Sequence, residues 1–216
     1  KIEAMRKLGA EIVLVAPADR FRRADELAAA HGYTLVPPFD AREVIAGQGT
    51  IGLEIVEDFP EVETVLVPIG GGGLSSGVAT AVKALGPHIQ VIGVEPELAA
   101  ETRESLRRGT LVPWETERTY RTIADGVRTC PSELTFEHLK AYIDDVVTVS
   151  EDEIREGMRT LAREAHLVVE PSGALTTAAY LFHRAELPSR RHHVAIISGG
   201  NVDAKLYAEI LTSGAL

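Results

Sequence analysis

Val67-Pro68-Ile69-Gly70-Gly71-Gly72-Gly73-Leu74-Ser75-Ser76-Gly77 is the stretch whose reading decides the fold. The residues leading into it, 64–69, are apolar and rich in β-branched side chains, as in a buried strand. After it, Leu74, Val78, Ala81, Val82 and Leu85 recur at helical spacing. Four consecutive glycines fill the turn between strand and helix. Without Cβ atoms a ligand can reach the backbone, and unusual φ values are open. Backbone N–H groups at a helix N-terminus then face outward with a favourable dipole, an arrangement suited to an anion. Phosphate is the natural anion. The alternative is a tight turn without a ligand, which needs fewer glycines than these.

Outward from this point the chain alternates. Towards the N-terminus, 11–16 reads as a short apolar strand and 22–31 as a helix stopped by Gly32. A strand at 34–36 ends at Pro37-Pro38. Helical spacing runs over 43–57 despite Gly47, Gly49 and Gly52. Each helix-interior glycine costs about 1 kcal/mol, so something is expected to approach closely there. Towards the C-terminus come a strand at 90–94, an irregular region with a short helix at 101–131, a helix at 134–143 and a strand at 146–149. Ser150-Glu151-Asp152-Glu153 has the form of a capping box, with Val149 and Ile154 placed as a hydrophobic staple. Ile154, Met158, Leu161, Ala162 and Ala165 make one apolar face. Glu170-Pro171-Ser172-Gly173 opens a helix to about residue 183, and a strand is expected at 194–197. Ser198-Gly199-Gly200-Asn201 then turns into a last helix at 204–211. Such alternation predicts an α/β fold, a mostly parallel sheet with helices on both faces.

The bulk properties narrow the function. A chain of 216 residues makes one large or two small domains. Its composition, 45% hydrophobic and 25% charged, is ordinary for a globular protein. A formal net charge of −10 argues against nonspecific nucleic-acid or anionic-membrane binding. No apolar run reaches the roughly 18 residues of a membrane span, so cytoplasm is the default expectation. The single cysteine, Cys130, leaves no internal disulfide and no zinc-ligand cluster, and it reads as an inert thiol. Residues 1–9 read as an amphipathic helix closed by Gly9, with no initiator methionine or leader. The chain is therefore expected to be a fragment that begins inside a helix.

The dinucleotide fingerprint G-x-G-x-x-G places Ser75 or Ser76 at its third glycine and so fails in both registers, although Glu95 ends the next strand where a ribose-binding acid would lie. Gly47-Gln48-Gly49-Thr50 lacks the Gly-Lys-Ser/Thr of a P-loop. The second loop, Ile196-Ile197-Ser198-Gly199-Gly200-Asn201, repeats the logic of strand, glycines and helix. Two such loops suggest a small phosphorylated cofactor held between strand ends.

These motifs make the chain recognisable. It resembles the threonine/serine dehydratase and serine racemase family of pyridoxal-phosphate enzymes, which have the tryptophan-synthase-β-like fold. The resemblance covers essentially the whole chain. It rests on Pro38-Phe39-Asp40, Val44-Ile45-Ala46-Gly47-Gln48-Gly49-Thr50, the glycine tetrad with its flanks, and Gly93-Val94-Glu95-Pro96. Thr122-Ile123-Ala124-Asp125-Gly126, Asp144-Asp145-Val146-Val147-Thr148-Val149-Ser150, Val169-Glu170-Pro171-Ser172-Gly173-Ala174 and Ser198-Gly199-Gly200-Asn201-Val202-Asp203 complete it.

The resemblance implies roles residue by residue. Amides of Gly70, Gly71, Gly72 and Gly73, with Leu74 opening the helix, hold the cofactor phosphate. Ser198 bonds the pyridine nitrogen. A hydroxyl there does not keep the ring protonated as a carboxylate would, which favours prompt loss of a β-hydroxyl. Helix capping is the alternative role for Ser198. Glu95, Ala99 and Glu101 match a cation site of the racemase-like members, with hard oxygens suited to Mg²⁺ or Ca²⁺. Those members often carry aspartate where Glu101 stands, and a solvated acidic helix start is the competing reading. Some racemase-like members have asparagine where this chain has Phe39, a departure that points to dehydration.

The family's cofactor-bonding lysine and its substrate-carboxylate loop lie upstream of residue 1, and Lys1, Lys7, Lys83, Lys140 and Lys205 do not sit in that context. By this resemblance, residues 1–40 are the tail of the small domain and 41–216 most of the large cofactor-binding domain. No catalytic residue is expected within this chain. The full-length protein is expected to convert L-threonine or L-serine into a 2-oxo acid and ammonia, as a homo-oligomer. Serine racemisation and hydroxyaspartate dehydration are alternatives, as is a non-catalytic binding protein of the same fold. A nucleotide-binding Rossmann protein is a third reading. Trp114 and His192-His193 are expected to serve packing and solvation only.

Overall fold

The computed structural model describes residues 1–213. The chain divides into two compact units, Lys1–Pro37 and Pro38–Leu216, the last three residues lying outside the described part.

In the first unit, α1 (Ile2–Lys7) ends beside Gly9, whose φ is +89°. A 3₁₀ turn, Pro17–Asp19, leads into α2 (Arg20–His31), which closes on Gly32 at φ +67°. Arg22 bridges Asp19 and Glu26 along this helix. The stretches 11–16 and 34–36, expected as strands, form none. Val13, Leu14, Val15, Leu35 and Val36 are exposed there. A strand needs a hydrogen-bonded neighbour to satisfy its backbone, and neither segment has one among the described residues.

The second unit carries the rest: α3 (Arg42–Asp58), β1 (Thr64–Pro68), α4 (Gly73–Leu85), β2 (Gln90–Pro96), α5 (Glu101–Arg108), α6 (Thr116–Thr119), α7 (Glu133–Tyr142), β3 (Asp145–Val149), α8 (Glu151–Glu164), α9 (Leu175–Phe182), β4 (His193–Ala195) and α10 (Ala204–Thr212). The four strands form one parallel sheet in the order β3-β2-β1-β4. Leu66 lies opposite Ile92 on one side and Ala195 on the other. β4 is shorter than its sequence suggests, although Ile196 N–H still donates to the Leu66 carbonyl at 3.1 Å.

Alternation along the strands sorts the core into two layers. Leu66, Ile92, Val94, Val147 and Val149 pack with Ile154 of α8 and with Leu175, Ala178 and Ala179 of α9. Val65, Val67 and Val91 pack with Val78, Ala79 and Val82 of α4, flanked by Ile51 and Ile55 of α3. Both faces are covered, as the apolar strands require. Among the described residues no helix is long and apolar enough to cross a membrane.

The glycines of α3 have a protein partner. A Cβ on Gly49 would stand 3.3 Å from the Gly77 carbonyl, and one on Gly52 would stand 2.8 Å from the Val78 carbonyl. The close approach expected over 43–57 is therefore that of α4, backbone against backbone. Ser150 and Glu153 form the expected capping box of α8. Ser132 and Thr135 form a second one on α7. The order β3-β2-β1-β4 also fixes where a ligand belongs. From β1 the chain builds outward through β2 to β3, then returns to the other side of β1 as β4. The carboxyl ends of β1 and β4 thus border a topological switch point, the usual ligand crevice of open α/β sheets.

Candidate functional site

Both glycine loops leave the sheet at that crevice. Three residues beyond the paired Leu66 and Ala195, one strand has reached Ile69 and the other Ser198. In the first loop Gly72 has φ +89°, the left-handed region that favours glycine, and it caps α4. Its carbonyl accepts the Ser76 N–H at 2.8 Å and the Ser75 hydroxyl at 3.3 Å. The Gly71 carbonyl accepts the Thr135 hydroxyl at 2.8 Å. Among the described residues nothing accepts a hydrogen bond from the N–H groups of Gly70, Gly71, Gly72, Gly73 or Leu74. Five successive open donors at the start of a helix are an arrangement suited to an anion.

The missing side chains serve a purpose the sequence does not reveal. A Cβ on Gly70 would meet Val127 Cα at 2.7 Å, one on Gly71 would enter the Phe39 ring, one on Gly72 would meet Thr135 at 2.9 Å, and one on Gly73 Phe39 Cβ at 2.8 Å. Three segments of protein close directly on the loop and fix its path, while its amide donors stay unspent.

The second loop is held in the same manner. The Gly199 carbonyl accepts the Glu170 N–H at 3.1 Å, and a Cβ on Gly200 would stand 2.6 Å from the Val168 carbonyl. Thr176 donates to the Ile196 carbonyl at 2.8 Å. Ser172 links this floor to the wall beside Gly70, since its hydroxyl accepts the Gly126 N–H at 2.9 Å. Ser198 is exposed, and its hydroxyl has no partner among the described residues. It does not cap α10. Asp203 does that, accepting the Lys205 and Leu206 N–H groups, each at 3.0 Å. Phe39, Thr135, Val127 and Ser172 all build this site. Of these, Thr135 was the least legible, because its capping box has threonine in the position where glutamate or glutamine signals one.

Glu95, Ala99 and Glu101 sit at the end of β2. Glu95 is 2% exposed, and its two carboxylate oxygens accept the Thr102 N–H at 2.9 Å and the Arg103 N–H at 2.8 Å. Burial pushes its pKa up to about 7, with Glu101 adding to the rise and the two amides opposing it. Burial also raises Glu101, against the Trp114 N–H that its carboxylate accepts at 3.0 Å. Burial and these two acids push the Cys130 thiol up to about 12, an unreactive form. Ala99 is buried in the 3₁₀ turn Glu97–Ala99. Among the described residues no three His, Cys, Asp or Glu side chains converge as a metal-binding group. A cation here would rest on two carboxylates, the Ala99 carbonyl and water, a hard-oxygen set. Trp114 does more than pack: its indole N–H donates to Glu104 at 2.6 Å, and Arg118 lies over its ring. Lys83 is committed elsewhere, to Asp144 at 2.6 Å and the Ile89 carbonyl at 2.8 Å.

The family model described as "Pyridoxal-phosphate dependent enzyme" matches residues 1–199. An L-threonine ammonia-lyase of Thermotoga maritima is 41% identical over 217 residues, 99% of this chain and 53% of the relative. The chain thus spans about half the length of that curated relative. A crystal structure of a threonine deaminase from T.th. superposes with a TM-score of 0.88 at 44% identity, covering 94% of this chain and 67% of that one. Maize serine racemase superposes with a TM-score of 0.87 at 32% identity, covering 98% and 65%.

Proposed function

This chain belongs to the pyridoxal-phosphate-dependent enzyme family, and we propose that it forms most of the cofactor-binding part of an L-threonine/L-serine ammonia-lyase. The observation that carries the reading is the run of five amide donors, Gly70 to Leu74, without a partner among the described residues, beside Ser198 at the switch point. In this reading the amides bind the cofactor phosphate. Their donors are already aimed, so binding costs little reorganisation. Ser198 offers an uncommitted hydroxyl to the ring nitrogen. Bound there, pyridoxal phosphate supplies the electron sink that lets the substrate's α-proton leave. A neutral hydroxyl partner would leave the ring nitrogen less protonated than a carboxylate would, an arrangement that would favour loss of the β-hydroxyl over reprotonation at Cα. Phe39 contributes an apolar wall with no acid or amide to redirect a proton. The acids Glu95 and Glu101, with the Ala99 carbonyl, would hold Mg²⁺ or Ca²⁺. Two buried neighbouring carboxylates that make no salt bridge among the described residues support that assignment.

The full-length protein tests this. It is expected to release ammonia and 2-oxobutyrate from L-threonine and to release pyruvate from L-serine. Formation of D-serine in excess of ammonia would assign racemisation instead. A rate confined to 3-hydroxyaspartate would move the substrate. Tight pyridoxal-phosphate binding with no turnover of any of them would leave a binding protein.

A further inference from the structure

We propose that Thr135 is the positioning residue of the phosphate nest. The inference rests on the assignment of Gly70 to Leu74 to a phosphate. Thr135 lies at the start of α7, far from the loop in sequence, and is fully buried. Its hydroxyl has one proton to give. The Gly71 carbonyl stands at 2.8 Å and the Ser132 carbonyl at 3.3 Å, so the proton goes to Gly71. The oxygen meanwhile accepts the Ser132 N–H at 3.0 Å. The capping box of α7 therefore orients the hydroxyl, and the hydroxyl orients the loop. A second tie holds the two elements together, since Ser76 of α4 donates to the Thr135 carbonyl at 3.2 Å.

The consequence follows from peptide geometry. A trans peptide points its C=O and N–H in opposite directions. Tying the Gly71 carbonyl to α7 aims the Gly72 N–H the other way. The Gly72 carbonyl is likewise tied, to Ser75 and Ser76, which aims the Gly73 N–H. Gly72 has φ +89° and no side chain to limit it, so without Thr135 the 71–72 peptide is free to turn. A turned peptide presents a carbonyl to the anion in place of a donor.

The test compares pyridoxal phosphate with pyridoxal, which lacks the phosphate, by titration of the full-length apoprotein. The ratio of the two dissociation constants isolates the phosphate term. Thr135→Val is expected to lower that ratio by about tenfold, the scale of one hydrogen bond, while pyridoxal affinity stays the same. Thr135→Ser is expected to restore the ratio. Ser132→Ala removes the serine half of the capping box and keeps the bond to Gly71, so it is expected to lower stability and leave the ratio alone. Thr135→Ala, which adds no methyl to a full site, reads the same quantity where the valine variant does not fold. An unmutated protein with no preference for the phosphorylated ligand would overturn the phosphate assignment itself. A normal preference that survives in Thr135→Val or Thr135→Ala, or that falls equally in Ser132→Ala, overturns the role of Thr135 alone.

Discussion

Alanine substitutions at Gly49, Gly52 and Gly77 of the α3–α4 contact, and at Gly47 outside it, should grade stability by how near a Cβ comes to the facing backbone. At Gly47 a Cβ meets nothing within 4 Å, and the position is exposed in a helix interior. Alanine there gains the propensity difference of about 1 kcal/mol. At Gly49 the new atom stands 3.3 Å from the Gly77 carbonyl, a few tenths of an ångström inside ordinary contact. Gain and strain nearly cancel, and stability stays within about 1 kcal/mol of the unmutated protein. At Gly52 the contact is 2.8 Å to a backbone carbonyl, and at Gly77 it is 2.6 Å to the Gly49 nitrogen with the Ile45 carbonyl closer still. Neither neighbour is a flexible side chain. Relieving 2.6 Å to the ordinary 3.4 Å already means parting the helices by about 0.8 Å, and the nearer Ile45 carbonyl demands more. Overpacking of this kind costs about 1–3 kcal/mol, and the full length of the contact puts Gly77→Ala at the upper end. The expected order of urea midpoints is Gly47→Ala, then unmutated and Gly49→Ala together, then Gly52→Ala, then Gly77→Ala. Converted to unfolding free energies, with the helix-propensity gain counted at both positions, the first and last should differ by about 3 kcal/mol. Because the proposed phosphate nest opens α4, Gly77→Ala should also weaken pyridoxal-phosphate binding while Gly47→Ala leaves it unchanged. Equal midpoints for Gly47→Ala and Gly77→Ala would refute the packing argument.

Gly71→Asp is expected to abolish pyridoxal-phosphate binding, because its side chain enters the Phe39 ring and brings a negative charge to an anion nest; unchanged affinity in the full-length variant would end the phosphate reading. Ser198→Ala should weaken cofactor binding by about 1–3 kcal/mol if a buried ring nitrogen loses its partner, and Ser198→Asp should raise the ratio of α-proton exchange to ammonia release from L-serine; if neither moves, the nitrogen's partner is another group. His183 makes hydrogen bonds of 2.6 Å to Glu186 and 3.2 Å to Glu153. Burial alone would lower its pKa, but these two acids outweigh burial and raise it. Its contribution to stability is therefore full below the unfolded value of about 6.5 and is lost as pH rises through the folded value. Urea midpoints measured from about pH 6 to about pH 8.5 should fall in the unmutated protein and fall less in His183→Asn; parallel curves would remove His183 from the account.

The sequence made the elements legible wherever local pattern and tertiary neighbour agree. The run 64–69 and the run 11–16 look alike as text, both short, apolar and rich in β-branched residues. Only the first is a strand, because β2 and β4 lie on either side of it, and no local signal carries the identity of a partner. The region 101–131 was opaque for a related reason. Its residues are ordered by side-chain bonds such as Glu101 to the Trp114 N–H and Arg128 to the Thr122 carbonyl, and such bonds leave no periodicity. Capping shows the same limit at finer grain. The box on α8 follows the serine-to-glutamate pattern and was visible, whereas the box on α7 ends in Thr135 and was not.

The glycine tetrad is the sharper case. A glycine announces that a Cβ would be crowded or a φ forbidden, but not by what. Read alone, Gly70 to Gly73 admit a ligand pressing on the backbone from outside. In the structure each Cβ direction is filled by protein: Val127, Phe39, Thr135 and Phe39 again. The donors remain open because the walls occupy the Cβ directions and the carbonyls of Gly71 and Gly72 are drawn off to α7 and α4. Packing thus takes the Cβ directions of these four residues and leaves their N–H directions to the proposed anion. Substituting a wall residue and substituting a glycine should therefore fail differently: loss of Phe39 loosens the loop and lets its peptides turn, while a side chain on Gly71 displaces Phe39 and leaves the donors unable to converge on one anion.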